Sequence, residues 1–191
     1  MIEQLLEYDT ELFLFLNNLG SPTWDSLWLI ITYKFASIPL YAVLLYLMYK
    51  KFGLKSLLVI MVVVALMITF TDQITNVFKR SFERPRPCGV PDLVDELRFI
   101  AVRCGKYGFF SGHSSNSMSA AVFIGLMLRP YYKNLIFILL FWSAVVAYSR
   151  IYVGVHYPLD IICGMTFGAI SGFLFYNLAQ YVIKRYTNSG F

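Results

Sequence analysis

Charge is what this sequence has least of. Only 14% of its 191 residues are Asp, Glu, Lys or Arg, against about 25% in a soluble domain. Meanwhile 58% are hydrophobic and the mean hydropathy is +0.63. This shortage excludes an ordinary water-soluble globule and makes a bilayer the solvent for most of the chain. Basic residues are missing before Lys34, where "MIEQLLEYDTELFLFLNNLGSP" carries Glu3, Glu7, Asp9 and Glu11 instead. A cleavable signal peptide starts basic, so none is expected. No internal repeat, low-complexity tract or linker divides the chain, which points to one domain over 1–191. Histidine is also scarce: His113 and His156 are the only two, each in a polar cluster beside an apolar run.

What is abundant is apolar sequence in long runs. A hydrocarbon core of about 30 Å needs about 20 apolar residues in helix. Trp24 to Tyr49, Ser56 to Phe78, His113 to Leu128, Asn134 to Tyr152 and Pro158 to Ile183 read as five spans. The third is short and opens with "HSSNSMSAA", so it starts below the surface or leans on its neighbours. The segment "ELFLFLNNLG" is too brief to span and suits a helix in the membrane interface or a soluble cap. The expected fold is all-α: an integral membrane bundle of about five to six transmembrane helices, with an N-terminal interfacial helix and one extramembrane loop.

Positive flanks remain cytoplasmic. Lys50, Lys51 and Lys55, then Arg129 and Lys133, then Lys184 and Arg185 fall on one side. The acidic N-terminus, the loop from Lys79 to Gly112 and the turn holding His156 then share the other. That loop is itself basic, with Lys79, Arg80, Arg84, Arg86, Arg98, Arg103 and Lys106, so some of its cations are expected to bind an anion. Cys88 and Cys104 bracket part of the loop on the side where disulfides persist, and a bond between them is expected, although spacing alone does not fix pairing. Cys163, in mid-span, reads as a small packing residue. "ERPRPCGVP" ends the second helix in extended backbone, and Asp92 to Val102 is expected to form a short amphipathic helix with Leu93, Leu97 and Ile100 inward. In the fifth span His156, Asp160, Gly164, Gly168 and Gly172 recur every four residues on one face. The glycines suit close helix packing.

Three polar clusters lie at span ends on the same side: "KRSFERPRP", "FFSGHSSNS" and "SRIYVGVHYPLD". Singly, each has a structural explanation: snorkelling cations, serines in helix contacts, an i, i+4 His–Asp pair. Together, ionisable residues at membrane depth mark a functional site. The set suits phosphoryl transfer. Lys79, Arg86 and Arg150 offer positive charge, arginine in a fork that matches phosphate oxygens. Ser111 offers a hydroxyl, Gly112 lets a backbone amide approach, and a helix beginning near His113 adds free amides. His156 can attack phosphorus if its ring is neutral, with Asp160 accepting the other ring proton, and His113 can protonate the leaving oxygen. A metal site is disfavoured, because two histidines and one aspartate would share space with several cations. Asp72, Gln73, Thr75 and Asn76 lie at the outer end of the second span; Asp72 suits either a pair with a site cation or a helix-to-helix hydrogen bond. Glu83 and Arg84 read as surface or supporting residues, and Tyr107, Phe109 and Phe110 as interfacial anchors or a grip on a lipid chain.

Lys79, six residues, Arg86-Pro87, then Ser111-Gly112-His113, then Ser149-Arg150, five residues, His156, three residues, Asp160: this pattern resembles the three-part signature of the type 2 phosphatidic acid phosphatase superfamily, which includes vanadium haloperoxidases and glucose-6-phosphatase. The resemblance implies a membrane lipid phosphatase that needs no metal or cofactor and forms a phosphohistidine on His156, oriented by Asp160. It makes His113 the leaving-group acid, with Lys79, Arg86, Ser111, Gly112 and Arg150 as phosphate ligands. Phe110 stands where the family generally has proline, and the family often has six spans. The substrate implied is a lipid phosphate or pyrophosphate: undecaprenyl pyrophosphate, favoured by family analogy, or phosphatidylglycerol phosphate, phosphatidic acid or a lipid A phosphate. The five-span plan and the expected disulfide point to a bacterial inner membrane with a periplasmic site, and no nucleic-acid partner is expected. The alternatives are a phosphotransferase using a lipid acceptor and a non-catalytic lipid-phosphate binder or flippase.

Overall fold

The structure is a computed structural model that describes residues 1–186, in the order α1 (Ile2–Asn18), α2 (Pro22–Thr32), α3 (Ile38–Phe82), α4 (Gly112–Leu128), α5 (Leu135–Tyr152) and α6 (Pro158–Tyr186). Among the described residues the only β pairing is an isolated bridge between Pro85 and Tyr107. Helices α3, α5 and α6 are long and apolar enough to cross a membrane. The chain is a multi-pass, all-α membrane protein.

The first expected span, Trp24 to Tyr49, is not one helix. Helix α2 stops at Thr32, Tyr33 turns to extended backbone (φ −74°, ψ 121°), and α3 restarts with proline in its first turn. Pro39 keeps α2 and α3 from running on as one helix, because inside a helix its ring lacks the amide donor and clashes with the carbonyl four residues back, whereas a first turn tolerates it. At about 1.5 Å per residue, α2 is too short to span. Helix α3 is itself two segments, since Gly53 leaves helical geometry (φ 71°, ψ 173°). Leu44 and Met48 from before Gly53 share one core with Ile60, Val63 and Met67 from after it. Residues 38–52 therefore fold back on 54–82, and Lys50, Lys51 and Lys55 sit around the bend.

Helix α4 is the axis of the bundle, with twelve of its seventeen residues buried. Its serines make this possible. Gly164, Gly168 and Gly172 of α6 lie against the backbone of Ser111, Ser115 and Ser119, so small residues at four-residue spacing on both helices bring the backbones together. A Cβ on Gly164 would lie 2.7 Å from the Ser111 carbonyl oxygen, and one on Gly172 2.6 Å from that of Ser119.

On α1 the buried residues are Asp9, Phe13 and Asn17, four apart on one face, while Leu5, Leu12 and Phe15 remain exposed. Asn17 fastens this face. Its Nδ2 donates to the carbonyls of Ile151 (2.9 Å), Tyr152 (2.9 Å) and Arg98 (3.1 Å), and its Oδ1 accepts from the Arg98 amide (2.7 Å). That bonding explains why the helix expected over Asp92 to Val102 does not form. The Arg98 backbone is committed to Asn17, and the prolines allow only single 3-10 turns at Pro87–Gly89 and Pro91–Leu93. Leu97 is still buried, with Leu93 and Ile100 half-buried beside it. Cys88 and Cys104 are joined, with Cα atoms 5.9 Å apart. Cys163 is free and half-buried.

Candidate active site

The loop and four helix ends meet at one end of the bundle. Lys79 lies in the last turn of α3, which Glu83 ends in left-handed conformation (φ 47°). The chain then turns back, and Arg86 donates from Nε to the Tyr107 carbonyl (3.1 Å). Ser111 begins α4, its hydroxyl oxygen accepting from the Ser114 amide (3.4 Å), so Gly112 and His113 form the first turn of the helix. Arg150 closes α5. Gly154 (φ 84°), where a Cβ would meet the Arg98 carbonyl at 2.8 Å, turns the chain into His156.

These elements enclose a cavity of about 420 Å³ lined by Lys79, Arg86, Gly112, His113, Arg150 and His156, among others. Ser111 and Asp160 are buried behind its wall, the Ser111 amide donating to the Asp160 carbonyl (2.9 Å). Asp160 Oδ2 lies 3.1 Å from His156 Nδ1 and accepts from the Tyr157 amide (3.2 Å). Because Nδ1 faces Asp160, the opposite ring nitrogen is free for the cavity. A Cβ on Gly108 would lie 2.8 Å from Asp160 Oδ2, so this position has no room for a side chain.

Cations dominate the electrostatics. Among the described residues Lys79, Arg86 and Arg150 form no ion pair. Arg150 donates from Nη1 to Thr32 Oγ1, and its Nε is buried without a partner. Burial, followed by the charges of Arg86, Arg150, Lys79 and Arg84, holds the pKa of His156 well below the usual histidine value, so its ring is neutral. Three uncompensated cations with unfilled donors favour an anion. Among the described residues no group of three His, Cys, Asp or Glu side chains is arranged to hold a metal ion.

The structure decides between several of the sequence alternatives. Arg84 is a supporting residue rather than a surface one. It donates from Nη1 to Asp160 Oδ1 (3.1 Å) and from Nη2 to Asp9 Oδ2 (2.6 Å), with its guanidinium 4.0 Å above the Tyr157 ring. Arg98, a loop cation outside the expected phosphate-binding set, pairs with Asp25 (3.0 Å). Asp72 makes the helix-to-helix bond: Asn116 Nδ2 donates to it (2.7 Å), while Thr71 donates to Asn116 Oδ1 (2.5 Å). Phe110 is an inward anchor, buried against Phe78 and Phe167 at centroid distances of 5.1 and 5.2 Å. Sequence reasoning missed Thr32 and gave Asp9 no role in the site. Asp9 was legible only as the first member of the Asp9, Phe13, Asn17 spacing.

Comparison with known proteins gives consistent findings. The profile of the PAP2 superfamily matches residues 55–184. The chain is 37% identical over 188 residues to a lipid A 4'-phosphatase of Bacteroides thetaiotaomicron, covering 97% of this chain and 83% of the relative. It is 35% identical over 189 residues to a lipid A 4'-phosphatase of Porphyromonas gingivalis, covering 97% and 78%. Its fold matches a crystal structure of a PAP2-type phosphatidylglycerolphosphate phosphatase from Bacillus subtilis with a TM-score of 0.74 at 22% identity, covering 96% of this chain and 89% of that one.

Proposed function

The chain belongs to the PAP2 superfamily and is a lipid phosphatase, and from that premise we propose that it hydrolyses a phosphate monoester or pyrophosphate through a covalent phosphohistidine on His156, with lipid A 4'-phosphate as the first substrate to test. The observation that carries this reading is a neutral His156, backed by Asp160 at 3.1 Å, facing a cavity with three unpaired cations. Phosphate oxygens bind Lys79, Arg86 and Arg150, together with the free amides at the start of α4. As the phosphorus becomes five-coordinate, the same groups stabilise the added charge.

The His156 Nε2 lone pair forms the bond to phosphorus while the bond to the lipid oxygen breaks, its electron pair passing to that oxygen. His113, protonated once the negative phosphate offsets the surrounding cations, supplies the proton that the oxygen needs to leave. Asp160 holds the Nδ1 proton and stabilises the positive ring of the intermediate. Water then gives a proton to His113 and attacks phosphorus, the bond to Nε2 breaks, and inorganic phosphate departs. No step calls for a divalent ion, because the three side-chain cations supply the charge.

A second, apolar cavity of about 520 Å³ adjoins the first at Tyr41 and Asn116, lined by Leu44, Met48, Ile60, Val64 and Ile124 among others. It supports a substrate whose hydrocarbon part stays in the membrane. The basic residues at the opposite helix ends, Lys50, Lys51, Lys55, Arg129, Lys133, Lys184 and Arg185, support a non-cytoplasmic site, which in a bacterial inner membrane is periplasmic. The test is phosphate release by the purified protein in detergent with EDTA present. The panel is lipid A phosphates, undecaprenyl pyrophosphate, phosphatidylglycerol phosphate and phosphatidic acid, beside His156→Ala and His113→Ala. The expected result is release that both variants lose. Release retained in His156→Ala overturns the mechanism, and phosphate appearing on a second lipid instead of in solution identifies a transferase.

A further inference from the structure

Asp9 is a polar group that the mechanism leaves unused. It is buried (4% exposed) on a helix that otherwise presents acidic and apolar residues to the outside. Asp9 Oδ2 accepts from Arg84 Nη2 (2.6 Å), and Asp9 Oδ1 accepts from the Leu159 amide (2.8 Å), in the first turn of the helix that carries Asp160. Arg84 gives its other terminal nitrogen to Asp160 Oδ1 (3.1 Å), and Asp160 gives its second oxygen to His156. A continuous chain of contacts therefore runs from α1 to the nucleophile. One turn beyond Asp9, Phe13 packs edge-on against Tyr157 (5.4 Å), whose other neighbour is the Arg84 guanidinium.

The charge count along this chain matters. Asp160 with Arg84 alone would be a neutral pair, and a neutral pair is a weak partner for an imidazole that becomes positive. Asp9 restores one net negative charge to the set. Sharing the guanidinium between two carboxylates also holds its plane, since each oxygen takes a different nitrogen of the fork.

We propose that Asp9 is a positioning residue for phosphoryl transfer: by sharing Arg84 with Asp160, it leaves Asp160 with unneutralised negative charge for the His156 ring and fixes the first turn of α6. The proposal rests on the phosphohistidine reading and assigns α1 a part in the reaction beyond membrane contact. Asp9 touches neither the cavity nor the three phosphate-binding cations, so its loss should act on kcat and spare KM.

The experiment is steady-state phosphate release from the lipid phosphate that the wild-type protein turns over, using Asp9→Asn, Arg84→Gln and the double variant, with His156→Ala alongside and thermal unfolding measured for each. Asp9→Asn keeps a side-chain oxygen for the Leu159 amide and removes the charge. Its kcat is expected to fall about 10- to 100-fold, the usual size for losing a partner one shell behind the reacting group, with KM within about twofold. In the Arg84→Gln background the same change should have no effect or raise kcat, because no guanidinium is left to share. Two results overturn the proposal: kcat within about twofold of wild type in a folded Asp9→Asn protein, or an equal loss in both backgrounds, which marks simple loosening of α1. If Asp9→Asn does not fold, Asp9→Ser, which also keeps an oxygen near the Leu159 amide and lacks the charge, is read in its place; kcat within about twofold of wild type there refutes sharing. Activity retained in His156→Ala would instead refute the phosphohistidine, a separate failure read in the same assay.

Discussion

Replacing Gly164 by alanine tests whether the packing of α4 on α6 sets the geometry of the site. The added Cβ would lie 2.7 Å from the Ser111 carbonyl oxygen, 3.3 Å from Ser114 Cβ and 3.4 Å from the Ser111 amide. Ordinary contact begins near 3.4 Å, so the α4 terminus must retreat by about 0.7 Å, and overpacking of this kind costs about 1–3 kcal/mol. Ser111 is the residue whose amide meets the Asp160 carbonyl, and Gly112 and His113 follow it directly. The displacement therefore falls between the phosphate-binding amides and His156. A misplacement approaching 1 Å in a reacting set costs up to about 100-fold, so kcat/KM should fall by about 10- to 100-fold. Gly172→Ala is the control. Its Cβ would meet Ser119 backbone oxygen at 2.6 Å, a slightly larger overlap placed eight residues, or about 12 Å, further along α6. It should destabilise comparably and cost less than about a third of the activity lost by Gly164→Ala. Detergent melting curves and steady-state rates on both proteins measure this. Equal activity losses at equal stability, or full activity in a folded Gly164→Ala, would refute the argument.

Thr32→Ala removes the hydroxyl that receives the Arg150 guanidinium. A hydrogen bond to a charged group is worth about 1.5–3 kcal/mol, so KM for the lipid phosphate should rise about tenfold, as read from rate against substrate. For pH, the depressed pKa of His156 leaves the folded ring neutral, while the unfolded chain binds a proton below about pH 6.5. The unfolded state then holds more protons, and stability falls as pH drops from about 6.5 toward the folded pKa. His156→Gln should flatten that part of a melting-temperature profile; an unchanged slope would show that another group is responsible. Chelation with EDTA should leave phosphate release intact, because Lys79, Arg86 and Arg150 provide the charge; activity lost to EDTA and restored by a divalent ion would contradict the mechanism.

The three site clusters were legible because each is local. Ser111 to His113 are consecutive, and His156 and Asp160 are one turn apart, so short-range geometry fixes much of their relation before any fold is known. The glycine spacing of α6 was legible for the same reason, and the serines of α4 that meet it were legible as helix-contact residues. What escaped was set by contacts between distant positions. Which of its two expected roles Arg84 takes, surface or supporting, is set by partners such as Asp9, 75 residues earlier. The helix expected at Asp92 to Val102 failed because Asn17, 81 residues away, takes the backbone of Arg98. The break before Pro39 was written in the sequence, but hydropathy averaged over a span hides a single proline. Thr32, at the end of a helix that reads as plain apolar sequence, carries no local mark of its bond to Arg150.

The pairing of Arg84 with Asp9 and of Arg98 with Asp25 bears on how the chain is delivered to the membrane. The basic loop and the acidic N-terminal segment carry each other's counterions, so they must end on one face of the bilayer. Synthesis runs from the N-terminus, which puts Asp9 and Asp25 in place before either arginine emerges. Two of the loop arginines that count against the positive-inside tally thus reach an outpost of waiting carboxylates, and charge reversal at Asp25 would register as a defect in topology as well as in packing.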